Sequence, residues 1–493
     1  MTAKKIIIIG GGIAGFSTGC YAQMNDYQTQ IFEMHNLPGG LCTSWKRKDY
    51  LIDGCIHDLA GAGETSRIHF LWEELHALPN GVHFHDEFWR VEGPSGQMLR
   101  AYTNIDRMEA HLRDISPADH KVIRKLIKGA RMMTRFELFA ILSGVRGEML
   151  RMLPHLPGVI HWATTSMEKF AHQFRHPFLR QAFPMLQYDF PGVPMLIYLN
   201  FLANTHLHQI GTPVGGSLAF ARAIANRYQD LGGELHTSAR VTKILVENDL
   251  AVGVKLANGE EHRADVVVSC ADGFYTIYGM LEGKFTNDAI DAYYSSVPDH
   301  SAMNTHIALG VKQDLSGETR AITLLLKEPV ELAGNMVDHI SVEIFGYDKT
   351  FAPDGKTVLK VLTESSYDFW KKLSTDPDAY AAAKQKCAQT VIAVLENRFP
   401  GLSNDVEVID VGTPLTIERF TGNYHGTQAW FPKGISSNFL FKGLSKTLPG
   451  LGNFYMVGQW MGGAIGINTV AYLGRKFVEQ LCMKDQIPFY TET

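Results

Sequence analysis

Hydrophobic and polar positions change period several times along this chain, first within ten residues of the start. Lys5 to Ile9 (KIIII) carries an unbroken β-branched run, the pattern of a strand buried on both faces of a parallel sheet. Glycines 10, 11, 12 and 15 follow, and the spacing then predicts a helix from about Ile13 to Gln23. Gln28 to Glu33 reads as a second short strand that ends in an acid. Residues 339–362 alternate around Pro353-Asp354-Gly355 and predict a hairpin. Residues 377–398 have the period of an amphipathic helix, with Pro400-Gly401 beyond its end. No internal repeat or low-complexity tract interrupts the pattern.

Two motifs overlap in the first glycine-rich stretch. Gly10-Gly11-Gly12-Ile13-Ala14-Gly15 reads G-x-G-x-x-G, a dinucleotide fingerprint, and Gly15-Phe16-Ser17-Thr18-Gly19 reads G-x-S-x-G, the elbow of serine hydrolases. The elbow needs its serine at the turn itself, above the sheet. Here the turn lies several residues earlier, so Ser17 falls inside the predicted helix. Strand, turn, helix, strand and terminal acid instead compose one βαβ unit. In that unit Gly10 allows the turn, Gly12 admits a pyrophosphate, and Gly15 lets the helix pack on the sheet. Glu33 stands where a carboxylate accepts from ribose hydroxyls and repels a 2′-phosphate, which argues against NADP.

Composition adds limits. At 493 residues the chain is long enough for two or three domains, and a net charge of −5 gives no reason to expect nucleic acid. The six cysteines are scattered without a C-x-x-C pair, which suggests reduced thiols and a cytoplasmic protein. Cys42 and Cys55 read as small packing residues. Lys4-Lys5 before an apolar run resemble a signal peptide, but the glycines break the run. His83-x-His85 and His206-x-His208 lack a third ligand at metal-site spacing, so no metal is expected.

The fingerprint has company. "LPGGLCTSW" and "DYLIDGCIHDLAG" follow the acid, "GTPVGGSLAFARAIANRYQDLGGELHTSARVTKILVENDLAVGVKLANGEEHRADVVVSCAD" begins at residue 211, and "GLGNFYMVGQWMGGAIGINTVAYLGRKFVEQL" stands near the C-terminus. Together these blocks resemble the FAD-dependent phytoene desaturase, carotene isomerase and retinol saturase family, within the amine-oxidase-like flavoproteins. The resemblance implies an α/β fold. A Rossmann-like FAD-binding domain is assembled from discontinuous segments (1–75, 211–280 and 445–493), beside an α+β substrate domain (76–210 and 281–444). It places Gly10, Gly12, Ile13, Ala14 and Gly15 at the FAD pyrophosphate and Glu33 and Met34 at the adenosine ribose. Gly39, Gly40 and Leu41 pass near the flavin, and Val241 offers its backbone to adenine. Gly458 meets the pyrophosphate side, and Gly466-Ile467 bring a backbone N–H to the flavin ring. Gln459 stands where many relatives have an acid, and Leu41-Cys42 where amine oxidases have arginine, which speaks against amine oxidation.

A long apolar substrate with C=C bonds follows from the same resemblance, with a quinone, oxygen or a reductase as electron partner. Residues 183–204 and 413–431 have the composition to line its tunnel, and equally that of ordinary core packing; His57, Glu418 and Arg419 are the polar candidates for proton transfer or charge stabilisation, with a structural Glu418–Arg419 pair as the alternative. The alternatives are a redox-neutral double-bond isomerase and a prenyl-lipid carrier of the GDP-dissociation-inhibitor type. Residues 120–180 carry +8, against −13 for the rest. Within them 120–153 reads as a basic amphipathic stretch that can lie peripherally on a membrane, with Met132, Phe136, Phe139 and Leu142 as its apolar contacts.

Overall fold

A computed structural model describes residues 3–186, 192–296, 301–430, 444–461 and 466–493. Lys5–Ile9 is the middle strand of a five-stranded sheet, in the order Glu234–His236, Gln28–Phe32, Lys5–Ile9, Val266–Ser269, Phe454–Met456. Every pair in it is parallel. The isoleucine run serves two cores at once. Ile6 and Ile8 pack with Phe16 and Tyr228 on one face, while Ile7 and Ile9 pack with Val241 and Val254 on the other. Each fully buried isoleucine contributes about 1.5–3 kcal/mol, so the run anchors the sheet.

The first helix spans Ile13–Met24 and buries Ser17 inside it. Ser17 donates its hydroxyl proton to the carbonyl of Ala471, 2.6 Å away in the C-terminal helix Ile467–Lys484. The two helices touch closely: a Cβ on Gly474 would stand 2.8 Å from Ser17 Oγ. Ser17 is therefore a packing residue.

A seven-stranded sheet forms the second layer, in the order Val406–Gly412, Asn304–Val311, Thr357–Glu364, Asn335–Ile344, Ala321–Leu332, Glu87–Glu92, Met98–Tyr102. The hairpin read over 339–362 is two of these strands, which pair Val342 with Val361 and Glu343 with Lys360. Period-two alternation divides the sheet's faces. Ile307, Leu309, Val342, Leu359 and Val361 pack against Trp370 and against Val391 and Leu395 of the helix Pro377–Arg398. Asn304, His306, Lys360, Leu362 and Glu343 take the opposite face, toward the dinucleotide domain.

Helices between residues 105 and 206 make a third body around Met195–His206, which is buried nearly all round. Its residues pack in a core and none lines the large cavity described below, so 195–204 is core rather than tunnel wall. Residues 187–191 of that stretch lie outside the described residues, as do 431 and 462–465 of the other expected site segments. The basic stretch is the helices His120–Met133, Leu138–Leu142 and Glu148–Met152. Its apolar face differs from expectation. Phe136 is buried and Met132 and Phe139 half-buried, while Leu142, Met149, Leu150 and Leu153 are exposed, followed by Leu156 and Ile160. Among the described residues no helix is long and apolar enough to cross a membrane.

Candidate functional site

The glycines of the first turn do different work. Gly10 has φ +99°, and a Cβ there would lie 3.2 Å from the backbone nitrogen of Ala271. At Gly15 a Cβ would sit 2.0 Å from the carbonyl oxygen of Gly10, so turn and helix approach closer than a side chain permits. Gly12 is the opposite case. Among the described residues the sole neighbour within 4 Å of its Cβ would be the carbonyl oxygen of Gly39, at 3.8 Å, so they do not require glycine there. The adjacent helix start has no side-chain cap and no acid in its first turn, leaving its N–H groups and positive dipole end for an anion.

These groups open on a cavity of about 800 Å³. It runs from Gly10, Gly12, Ile13 and Ala14 past Glu33 and Met34 to Gly39, Gly40 and Leu41, and on to Gly54, Cys55 and His57. Val241, Gly458, Gly466 and Ile467 line it as well. Of the residues assigned to the cofactor, Gly15 alone is not a lining residue; its place is the helix–turn contact. An uncapped helix start, a glycine facing open space and a buried acid at the far strand fit a dinucleotide.

Glu33 is buried, and burial pushes its carboxyl above the usual range, although the N–H groups of His35 and Gly11 pull the other way. Its Oε2 accepts from Gly11 N (2.7 Å) and its Oε1 from His35 N (2.8 Å). A carboxylate has about four acceptor sites, so two remain for a ribose. Glu33→Gln places an amide NH₂ against one of these N–H donors. The expected result is a loss of about 1–3 kcal/mol in the stability of cofactor-free protein, besides weaker cofactor binding. Denaturant unfolding of stripped protein checks the first effect. Unchanged stability would show that Glu33 does not hold the loop.

At the other end, the cavity meets the seven-stranded sheet. His57 lines it with Nδ1 2.6 Å from Oε1 of Glu343. Nearby His306 is buried, and burial, with Lys360 beside it, pushes its imidazole down to about 3. Asn304 Nδ2 donates to Gln428 Oε1 (3.0 Å), and the Gln428 amide lies 2.6 Å from His306 Nε2. Asp272 also lines the cavity, its carboxyl raised by burial to about 6 while it accepts from the N–H groups of Tyr275 and Tyr424.

Glu418 and Arg419 do not belong to this site. Glu418 accepts from the hydroxyls of Tyr275 (3.0 Å) and Tyr367 (2.7 Å), outside the cavity lining. Arg419 is exposed, its guanidinium 5.4 Å from the Phe420 ring, and among the described residues no ion pair joins it to Glu418. Consecutive helix positions point about 100° apart, which separates the pair. Sequence reading missed Asn304, His306 and Asp272, while Gln428 falls in 413–431, the stretch expected to line a tunnel, from which Thr421, Gly422 and Asn423 also line the cavity. Asp272 had a signal, since it follows the strand Val266–Ser269 at the carboxyl edge where such sheets bind ligands. Among the described residues no three His, Cys, Asp or Glu side chains gather as a metal set.

Comparison with known proteins agrees with this geometry. A family model described as an NAD(P)-binding Rossmann-like domain matches residues 8–75. The chain is 25% identical to the chloroplastic prolycopene isomerase of Arabidopsis thaliana, over 95% of its own length and 81% of the relative's. It is 23% identical to the neurosporene-forming phytoene desaturase of Cereibacter sphaeroides, over 91% and 92%. Among solved structures, an oxidoreductase from Methanosarcina mazei superposes with a TM-score of 0.60 at 17% identity, covering 96% of this chain and all of the other.

Proposed function

Because its homologues over nearly the whole chain are prolycopene isomerases and phytoene desaturases, we propose that this protein is an FAD-dependent oxidoreductase acting on C=C bonds of a long apolar substrate, a carotenoid, retinoid or other isoprenoid lipid. One observation carries the reading: a single cavity joins the dinucleotide turn at Gly12 to His57 and the sheet floor at Asn304 and His306. A flavin bound there supplies two-electron redox chemistry at a substrate carbon. The chain's own part is placement and proton handling. Gly12, Ile13 and Ala14 hold the pyrophosphate on the helix start, and Glu33 holds the ribose. Leu41, Leu362 and Trp460 supply apolar wall and exclude water around the reacting bond. His57 gives or takes the proton at the neighbouring carbon.

The test is to identify the cofactor released from purified protein, then to incubate loaded protein with a polyene in vesicles and determine product mass. Released FAD and a product differing by one pair of hydrogens support the reading. A product of unchanged mass but altered geometry would favour the isomerase. Colourless protein that takes up no flavin would restore the carrier.

Access to such a substrate is assigned to the helices after residue 137. Leu150 is 70% exposed, Ile160 55% and Leu153 51%, beside exposed Arg135 and Arg146. Each basic residue near an anionic surface contributes about 1 kcal/mol, decaying over a Debye length of ~8 Å at physiological salt. Cosedimentation with anionic vesicles is expected to fall steeply with salt. Leu150→Asp with Leu153→Asp should abolish it while leaving bound flavin intact. Binding indifferent to both salt and the double variant would make this an ordinary solvated face.

A further inference from the structure

Glu343 is a buried carboxylate enclosed by nitrogen bases from three parts of the chain. His57 Nδ1 lies 2.6 Å from its Oε1, Lys360 Nζ 2.8 Å from its Oε2, and Arg320 3.9 Å from its Oε1. Arg320 also pairs with Asp58 at 2.5 Å, and Lys360 donates to the carbonyl of Asp53 at 3.1 Å. The Lys360 side chain is 1% exposed, that of Arg320 3% and that of Glu343 11%, whereas His57 is 30% exposed and lines the cavity. Breaking up such a group leaves an uncompensated buried charge, so two cations and two anions are kept in register behind the imidazole that lines the cavity.

We propose that Glu343 is the positioning residue of His57: it holds the Nδ1–H and leaves Nε2 as the nitrogen on the substrate side. This rests on the reading of His57 as the proton-handling side chain. Burial alone would raise the Glu343 carboxyl, but His57, Lys360 and Arg320 outweigh it and hold the group below the usual carboxylate range. An ionised carboxylate only accepts, so the hydrogen in the 2.6 Å contact belongs to Nδ1. A neutral imidazole carries one such hydrogen, which makes Nε2 an acceptor; on protonation Nε2 becomes a donor. Among the described residues, the charged groups beside Glu343 do not compete for the Nδ1 hydrogen. Asp58 is engaged by Arg320, Lys360 and Arg320 are cations without acceptors, and His306 is held neutral.

In the saturating direction a reduced flavin held by the residues of the dinucleotide turn would supply a hydride, two electrons and one proton, to one carbon of the C=C. The other carbon takes the Nε2 proton: a C–H bond forms, the N–H bond breaks, and its electron pair stays on nitrogen. The neutral imidazole regains a proton from water. Desaturation runs the same exchange backward, with Nε2 as acceptor.

The experiment is nitrogen-15 NMR of histidine-labelled full-length protein, with His57→Gln to assign the signal. In wild type, neutral His57 is expected as the Nδ1–H tautomer, with and without flavin. Glu343→Leu with Lys360→Met removes the carboxylate and one cation together, so the site stays charge-balanced and the fold is kept. In that variant the tautomers should mix. Glu343→Asp should restore the tautomer in part. An Nε2–H tautomer in wild type, or a folded double variant with the tautomer unchanged, overturns the proposal. The NMR result needs no turnover, so a correct tautomer in a protein inert toward polyenes would sink the redox reading and leave the positioning intact.

Discussion

Gly12→Val is expected to yield a chain that folds with wild-type stability and purifies without cofactor. Among the described residues the new side chain meets no protein atom closer than 3.8 Å at its Cβ, so they tolerate it. Its branches fill the space beside the uncapped helix start, where the pyrophosphate must approach the backbone. Flavin affinity should drop by about two orders of magnitude or more, equivalent to roughly 3 kcal/mol. Gly15→Ala is the counterpart. A single methyl 2.0 Å from the Gly10 carbonyl oxygen forces helix and strand apart, at a cost of at least the ~1–3 kcal/mol of an overpacked site. One glycine is reserved for the ligand and the other for the fold. Thermal unfolding of both stripped variants, with flavin titration of Gly12→Val, separates them. Equal destabilisation of the two would contradict the assignment.

Asp53→Ala should be among the most damaging single changes outside the glycines. Asp53 is buried and accepts four hydrogen bonds: from Ser44 Oγ (2.9 Å), Cys55 N (3.0 Å), Ser217 N (2.6 Å) and Ser217 Oγ (2.6 Å). It thereby ties the strand Tyr50–Asp53 to the start of the helix Gly216–Asp230, where a negative charge also suits the dipole. Each donor left unpaired in a buried place costs about 1–3 kcal/mol, and partial relaxation brings the expected total to roughly 3–5 kcal/mol. Since Gly54, Cys55 and His57 follow directly, flavin affinity should fall too. Asp53→Asn keeps an acceptor and should lie between. Denaturant midpoints of the three proteins give the comparison, and an Ala variant within 1 kcal/mol of wild type, a bound set by the cost of one lost bond, would refute the role.

The cofactor half of the site was legible because its residues are local. A β-branched run, glycines at fixed offsets and an acid ending the next strand specify a βαβ unit without reference to the rest of the chain. The same holds for the helix at 377–398 and for the hairpin around Pro353-Asp354-Gly355. The substrate half was not legible, because its residues meet only through sheet register. Asn304, His306, Lys360 and Glu343 occupy alternate positions of three strands, and nothing local says which face meets the dinucleotide domain. Composition could not separate core from tunnel wall. Met195–His206 is apolar because it is the centre of a helical core, a pattern that a tunnel wall shares. Glu418 and Arg419 have side chains suited to proton transfer or to an ion pair, but adjacent helix positions diverge and Glu418 is taken up by two tyrosine hydroxyls.

The central claim is that electrons pass between a bound flavin and a C=C bond in the cavity that ends at His57. Its most direct test is one anaerobic turnover of FAD-loaded protein with a polyene from vesicles, following flavin absorbance and product together. The account predicts one flavin oxidised or reduced for each C=C bond lost or gained, with the ratio kept in His57→Gln at a lower rate. Product formed while the flavin stays in one oxidation state would contradict it.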